Sequence, residues 1–180
     1  MFGRRQVPGA VKVEKARGRL IVSPKGVRIH DRGEGLSLED VRDAIRAILL
    51  CLGFLHAKGF VHRDLRWANL IRSFSYHHDG TLESCKFLVI DFEFAGRDGA
   101  AMDIADYIHN DVVPDGETYS SLHDLKLVGK MVKSWAHSNR IDLDESTVGF
   151  IHAITRVEDP LNVSDAQQHA WLHAMANAAI

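Results

Sequence analysis

Residues 59–71 read GFVHRDLRWANLI: a turn-forming glycine, then a histidine, two arginines, an aspartate and an asparagine set between short apolar runs. A centre this polar is too dense for a helix interior, so the stretch is predicted as strand, tight loop, strand. Any fold open to this chain must mount those polar groups on the ends of short strands, which are rigid supports for loop side chains.

The flanking segments supply the scaffold. Ser37 and Asp40 form a capping-box pattern, after which Leu38, Val41, Ile45, Ile48, Leu49, Leu52 and Leu55 recur at helical spacing. A long helix is predicted over 38–57, stopped by Gly59. Upstream, VKVEKARGRLIVSP reads as two β segments around a turn at Ala16–Gly18, followed by the glycine-rich SPKGVRIHDRGEG. Downstream, the polar insert SFSYHHDGTLES precedes a buried strand, KFLVIDFEF, and residues 97–120 read as a long irregular segment with little periodicity. Helical patterns resume in SLHDLKLVGKMVKSWAHS, STVGFIHAITRV and SDAQQHAWLHAMANAAI, with Ser146 and Ser164 as expected N-caps. The expectation is an α+β chain, mainly α-helical. With 180 residues, 46% of them apolar, one domain can bury a real core.

Charge and cysteine usage narrow the partners. The formal net charge is -2, so no general attraction to nucleic acid or anionic membrane is implied. Residues 1–32 are nevertheless basic, through Arg4, Arg5, Lys12, Lys15, Arg17, Arg19, Lys25, Arg28 and Arg32 against Glu14 and Asp31. They read as a solvated strand pair, with an arm for an acidic partner or nucleic acid as the alternative. Cys51 and Cys85 are the only cysteines, one in an apolar helical run and one beside a strand, which fits two free thiols in a reducing, intracellular setting. No apolar window approaches a membrane span and no signal-peptide pattern follows Arg4 and Arg5. His77, His78 and Cys85 fit no zinc spacing and read as belonging to a solvated hairpin tip.

Chemistry enters with Asp64, Asn69 and Asp91, which sit where short apolar strands end or break. Phosphoryl transfer needs a hard divalent cation on the phosphate oxygens, and such a cation takes carboxylate and amide oxygens. Asp91 and Asn69 are that type of pair, and Asp64 could orient or deprotonate an attacking hydroxyl.

HRDLRWAN resembles the protein-kinase catalytic loop, H-R-D-L-x-x-x-N, and IDFE resembles the D-F-G metal motif. Further on, DLKLVG resembles the kinase D-x-W-x-x-G helix start, and EDPLNVSDAQQHAWL the closing segment, with Asp159, Pro160, Ala166, His169 and Trp171 retained. The likeness covers about residues 19–172, and its wording is nearest to divergent fungal kinases and the kinase-like domains of crinkler effectors. It implies a kinase C-terminal lobe over residues 31–180 and remnant N-lobe strands with a hinge over 1–30. It also implies ATP and Mg²⁺, with Asp64 as catalytic base, Asn69 and Asp91 as metal ligands, and Arg66 touching a terminal phosphate. His62 and Phe92 would pack beneath the site, and Asp124 would brace the catalytic loop backbone.

The resemblance has gaps. No G-x-G-x-x-G loop and no lysine–glutamate pair stand upstream. Lys12, in AVKVEK, matches the ATP lysine only in wording, lying about a dozen residues before the hinge-like SPKG, and reads as a solvated strand lysine. Glu93 replaces the DFG glycine and would either join the metal shell or face solvent. Arg63 would either receive a phosphate on Thr118, Tyr119, Ser120 or Ser121, or be held by local carbonyls.

Three functions compete. The first is an ATP-dependent protein kinase of Ser/Thr type, acting on a protein substrate or completed by a partner that supplies the absent lobe. The others are a catalytically impaired pseudokinase or binding module, and a small-molecule kinase, because IDFEFAG followed by MDIAD looks like choline and aminoglycoside kinases.

Overall fold

The computed structural model describes residues 12–16, 19–23, 26–101, 112–113, 118–156, 158 and 161–174, the first two spans by backbone pairing only. Its architecture is α+β: helices around a main core, with three small antiparallel sheets, two of which hold the strands on either side of the polar loop.

The predicted long helix is α1, Leu38–His56. Its start is the reciprocal box seen in the sequence, with Ser37 Oγ accepting from Asp40 N–H and Asp40 Oδ2 accepting from Ser37 N–H, each at 3.1 Å. Val41, Ala44, Ile45, Ile48, Leu49, Cys51, Leu52 and Leu55 are buried, so the apolar stripe faces the core. Burial, and secondarily the charge of Asp124, pushes the Cys51 thiol up to about 12. It is an inert core thiol. Cys51 and Cys85 are both free, and no described helix is long and apolar enough to cross a membrane.

All three tryptophans are buried, and each finds an acceptor for its indole N–H. Trp67 donates to Met131 O at 2.9 Å, Trp135 to Leu36 O at 3.0 Å and Trp171 to Thr147 Oγ1 at 2.8 Å. Each bond ties a loop or short helix to a distant element, so the core is pinned at points that local sequence does not link.

Two further long helices are α2, Ser121–Asn139, and α3, Glu145–Thr155. They cross at Gly129, where an added Cβ would stand 2.5 Å from Thr155 Cγ2. Gly129→Ala is therefore expected to cost about 1–3 kcal/mol by overpacking, despite alanine's better helix propensity. A denaturant midpoint equal to or above that of the parent would show that the helices do not need this approach.

Two sequence expectations change here. The N-caps are Asp144 for α3 and Asn162 for the next helix, not Ser146 and Ser164. Asp144 Oδ1 accepts from Thr147 N–H at 2.7 Å and Asn162 Oδ1 from Asp165 N–H at 3.0 Å, placing both serines inside their helices. The last helical pattern is also not continuous over its described part. It divides into α4, Val163–Gln167, and α5, Ala170–His173, because His169 turns extended and caps α5 through Nδ1.

Strands β1, Lys12–Ala16, and β2, Arg19–Ser23, pair antiparallel with Ala16 opposite Arg19, the hairpin expected from sequence. A second sheet has the order β3, β5, β6, formed by Val27–Arg28, Leu70–Tyr76 and Leu82–Val89. The polar insert is not merely a loop: both strands run into it, pairing Phe74 with Cys85 and Ser75 with Ser84, and only His77–Thr81 form the tip. One face of such a hairpin can stay polar because the backbone ladder holds it. Finally, β4, Phe60–Val61, pairs with β7, Gly96–Arg97, so the segment before the polar loop is tied to the segment after Asp91.

Candidate active site

The polar loop 62–66 leaves β4, passes through a 3₁₀ turn at Trp67–Asn69 and enters β5. The buried carboxylate of Asp124, in the first turn of α2, holds its backbone. Asp124 Oδ2 accepts from His62 N–H and Oδ1 from Arg63 N–H, both at 2.9 Å. Tyr119 donates its hydroxyl to Oδ1 at 2.8 Å, and His56 Nε2, from the end of α1, lies 2.9 Å from Oδ2. Burial alone would raise the Asp124 pKa, but the His56 hydrogen bond, the pull of His62 and the His62 N–H outweigh it and hold the carboxyl below its ordinary range. Burial also lowers the pKa of His62, against the raising charges of Asp124, Asp64 and Asp91 and the Ile90 backbone, so its ring is neutral at pH 7.

His62 is the hub of the site. Its ring centroid lies 4.8 Å from that of Phe92, and its Nδ1 accepts from Asp64 N–H at 3.3 Å. Asp64 is 1% exposed. Asn69 Nδ2 donates to Asp64 Oδ2 at 2.7 Å and to Asp64 O at 2.9 Å, while the more exposed Arg66 places Nε 3.4 Å from the same Oδ2. Asn69 is itself fully buried, and its Oδ1 has no hydrogen-bond partner. A buried amide oxygen left unbonded is costly in a folded protein unless something else satisfies it.

Asp91 follows directly on a cross-strand link. Strand β6 ends at Val89, opposite Leu70, and Ile90 N–H donates to Asn69 O at 2.9 Å, so Asp91 leaves the sheet beside Asn69. Three described non-glycine residues hold left-handed backbone: Arg63 at φ 74°, Asp91 at φ 64° and Arg140, which caps α2. That strain, about 1–3 kcal/mol per residue, concentrates where surroundings force it, and functional loops are the usual place. Glu93, in the turn after Asp91, is exposed.

The structure thus gathers His62, Arg63, Asp64, Arg66, Asn69, Asp91, Phe92 and Asp124 around one loop. The side chain of Lys12 and the MDIAD segment lie outside the described residues. His56 and Gly96 belong to this neighbourhood too, and nothing in their local sequence marks them; Tyr119, read from sequence only as a possible phosphate acceptor, joins it through its hydroxyl bond to Asp124. Among the described residues no three His, Cys, Asp or Glu side chains group as a metal cluster. A cleft of about 610 Å³ lies between α1, α2 and α4, lined among others by Leu50, Phe54, Leu122, Leu125, Val163 and Gln167, and touches this network through His56.

No family model matches the chain. It is 26% identical over 129 residues to Crinkler effector protein 8 of Phytophthora infestans, across 69% of this chain and 20% of that protein. It is 29% identical over 102 residues to a non-specific serine/threonine protein kinase of Drosophila melanogaster, across 55% of this chain and 13% of that one. The likeness to kinases is weak and partial, and the chain spans a fifth or less of the length of these relatives.

Proposed function

We propose that this chain carries the catalytic loop and metal-binding residues of an ATP-dependent, protein kinase-like phosphotransferase that acts on a protein hydroxyl. The observation that carries the reading is Asn69: its amide N–H₂ is committed to Asp64, which leaves a buried, unpartnered Oδ1 beside the turn that presents Asp91. One amide oxygen and one carboxylate suit Mg²⁺, which keeps several waters and needs few protein ligands. Asn69 and Asp91 would hold it, with Glu93 as a further oxygen within the same turn. When bound, the ion neutralises charge on the phosphate oxygens.

The chain's own residues supply the rest. Asp64 accepts the proton of the substrate hydroxyl as its oxygen bonds to the γ-phosphorus, and the bond to the β–γ bridging oxygen breaks with its electron pair leaving on ADP. Asn69 Nδ2 keeps the Asp64 carboxylate oriented throughout. Arg66, 43% exposed in its side chain, is free to swing from Asp64 to a terminal phosphate, uncovering the base as it does so.

Transfer of labelled phosphate from ATP to a generic protein substrate tests the reading. Asp91→Asn removes one charge-assisted contact to the ion and should raise the Mg²⁺ needed for half-maximal transfer about ten- to a hundredfold. Equal signal and equal Mg²⁺ dependence in parent and variant would reject it. Mg-ATP binding without transfer would instead favour a binding module.

A further inference from the structure

Arg63 is 8% exposed, and Nη2 of its guanidinium is already occupied, while its buried Nε has no hydrogen-bond partner. Nη2 donates to the carbonyl oxygens of Arg97 and Ala100, each at 3.2 Å. The guanidinium carbon stands 5.8 Å from the centre of the Tyr119 ring. Against Gly96 there is no spare room: a Cβ built there would meet Cζ and Nη1 at 2.6 Å and Nη2 at 2.9 Å. The backbone N–H of Arg63 donates to Asp124 Oδ1, which also accepts the Tyr119 hydroxyl.

We infer that Arg63 is a positioning residue: its guanidinium, seated against Gly96 and bonded to the Arg97 and Ala100 carbonyls, fastens the segment behind Asp91 to the Asp64 loop without any phosphate. The inference concerns regulation of the proposed phosphotransfer site and rests on that reading for its functional meaning. Two carbonyl oxygens take both donors of Nη2, the nitrogen that the end-on and side-on bidentate modes of a guanidinium share, so an anion could bind bidentately only by displacing them. Tyr119 is fully buried with its hydroxyl bonded, so its modification would require the network around Asp124 to open. Thr118 is exposed, but a phosphate there would have to displace both carbonyls to reach Nη2. The phosphate-receiving use of Arg63, open from sequence, gives way to the carbonyl-held one. The site should accordingly stand assembled in unmodified protein.

Amide hydrogen exchange on the full chain, dephosphorylated and checked by intact mass, tests this. Asp98 N–H donates to Gly59 O at 3.0 Å and Gly99 N–H to Tyr119 O at 2.9 Å, so both amides should be protected without phosphate. Arg63→Ala and Gly96→Ala should each speed their exchange about tenfold or more while α1 amides hold their rates, with Arg63→Lys in between. Unprotected amides in the dephosphorylated parent would overturn the inference. So would protection gained in Thr118→Glu, or equal acceleration of α1 in Arg63→Ala, which would mark a merely global loss of stability. Exchange needs no turnover, so protected amides in a chain that transfers no phosphate would refute the proposed reaction and leave the clasp standing.

Discussion

Asp64→Asn is expected to slow phosphoryl transfer about 10²–10⁴-fold while leaving the fold intact. The substitution removes the proton acceptor and the charge that faces Arg66, and keeps the hydrogen bonds that hold the loop. An asparagine at 64 still offers an amide oxygen to Asn69 Nδ2, which donates to Asp64 Oδ2 at 2.7 Å, and its backbone N–H can still reach His62 Nδ1. The loss should appear in the single-turnover rate with saturating Mg-ATP, and the denaturation midpoint should move little. An unchanged rate would mean that Asp64 is not the base; a rate loss matched by a collapsed midpoint would mean that its role is structural.

Asp124→Ala should be the most damaging single change to stability, at about 4 kcal/mol or more. The carboxylate takes hydrogen bonds from His62 N–H, Arg63 N–H and Tyr119 OH and pairs with His56 Nε2. Removing it leaves buried donors unsatisfied, at about 1–3 kcal/mol for each that water cannot reach. Against a usual total of about 5–15 kcal/mol, that loss unfolds part of the population. Asp124→Asn should cost less, because one oxygen remains, though an amide N–H₂ then faces at least one donor. Urea unfolding measures both; a cost below about 1 kcal/mol for the alanine variant would show that the network does not hold the loop.

The same carboxylate sets an acid limit. Its folded pKa lies below its unfolded value of about 3.9, so its stabilisation is full above that pH and is lost as pH falls through the unfolded and then the folded pKa. The lowered pKa of His62 adds an earlier loss, beginning near pH 6.5 where the unfolded chain binds a proton that the buried ring does not. Stability should thus decline in two stages as pH falls, the first beginning near pH 6.5 and the second below about pH 4. Asp124→Asn should diminish the second stage.

Where local pattern was enough, sequence reading held: the Ser37–Asp40 box and the apolar stripe of α1, the β1–β2 hairpin, and the helical spacing of α2 and α3. It erred where two local solutions compete. Aspartate and asparagine outbid the nearby serines as caps, and His169 interrupted a pattern that spacing alone would continue. The extension of β5 and β6 into polar sequence was also hidden, because antiparallel pairing is satisfied between strands rather than within either.

Sequence by itself determined which groups the site could draw on: carboxylates at 64 and 91, an amide at 69, arginines at 63 and 66, and strands to mount them. Only the tertiary structure decided their partners. Asp124 reaches back about sixty residues to the loop backbone, Asn69 turns one end of its amide to Asp64 and strands the other, and Gly96 makes room for Arg63. Hydrogen bonding is directional and short-ranged, so whether a polar group is satisfied, strained or left over depends on what the rest of the chain brings within about 3 Å of it.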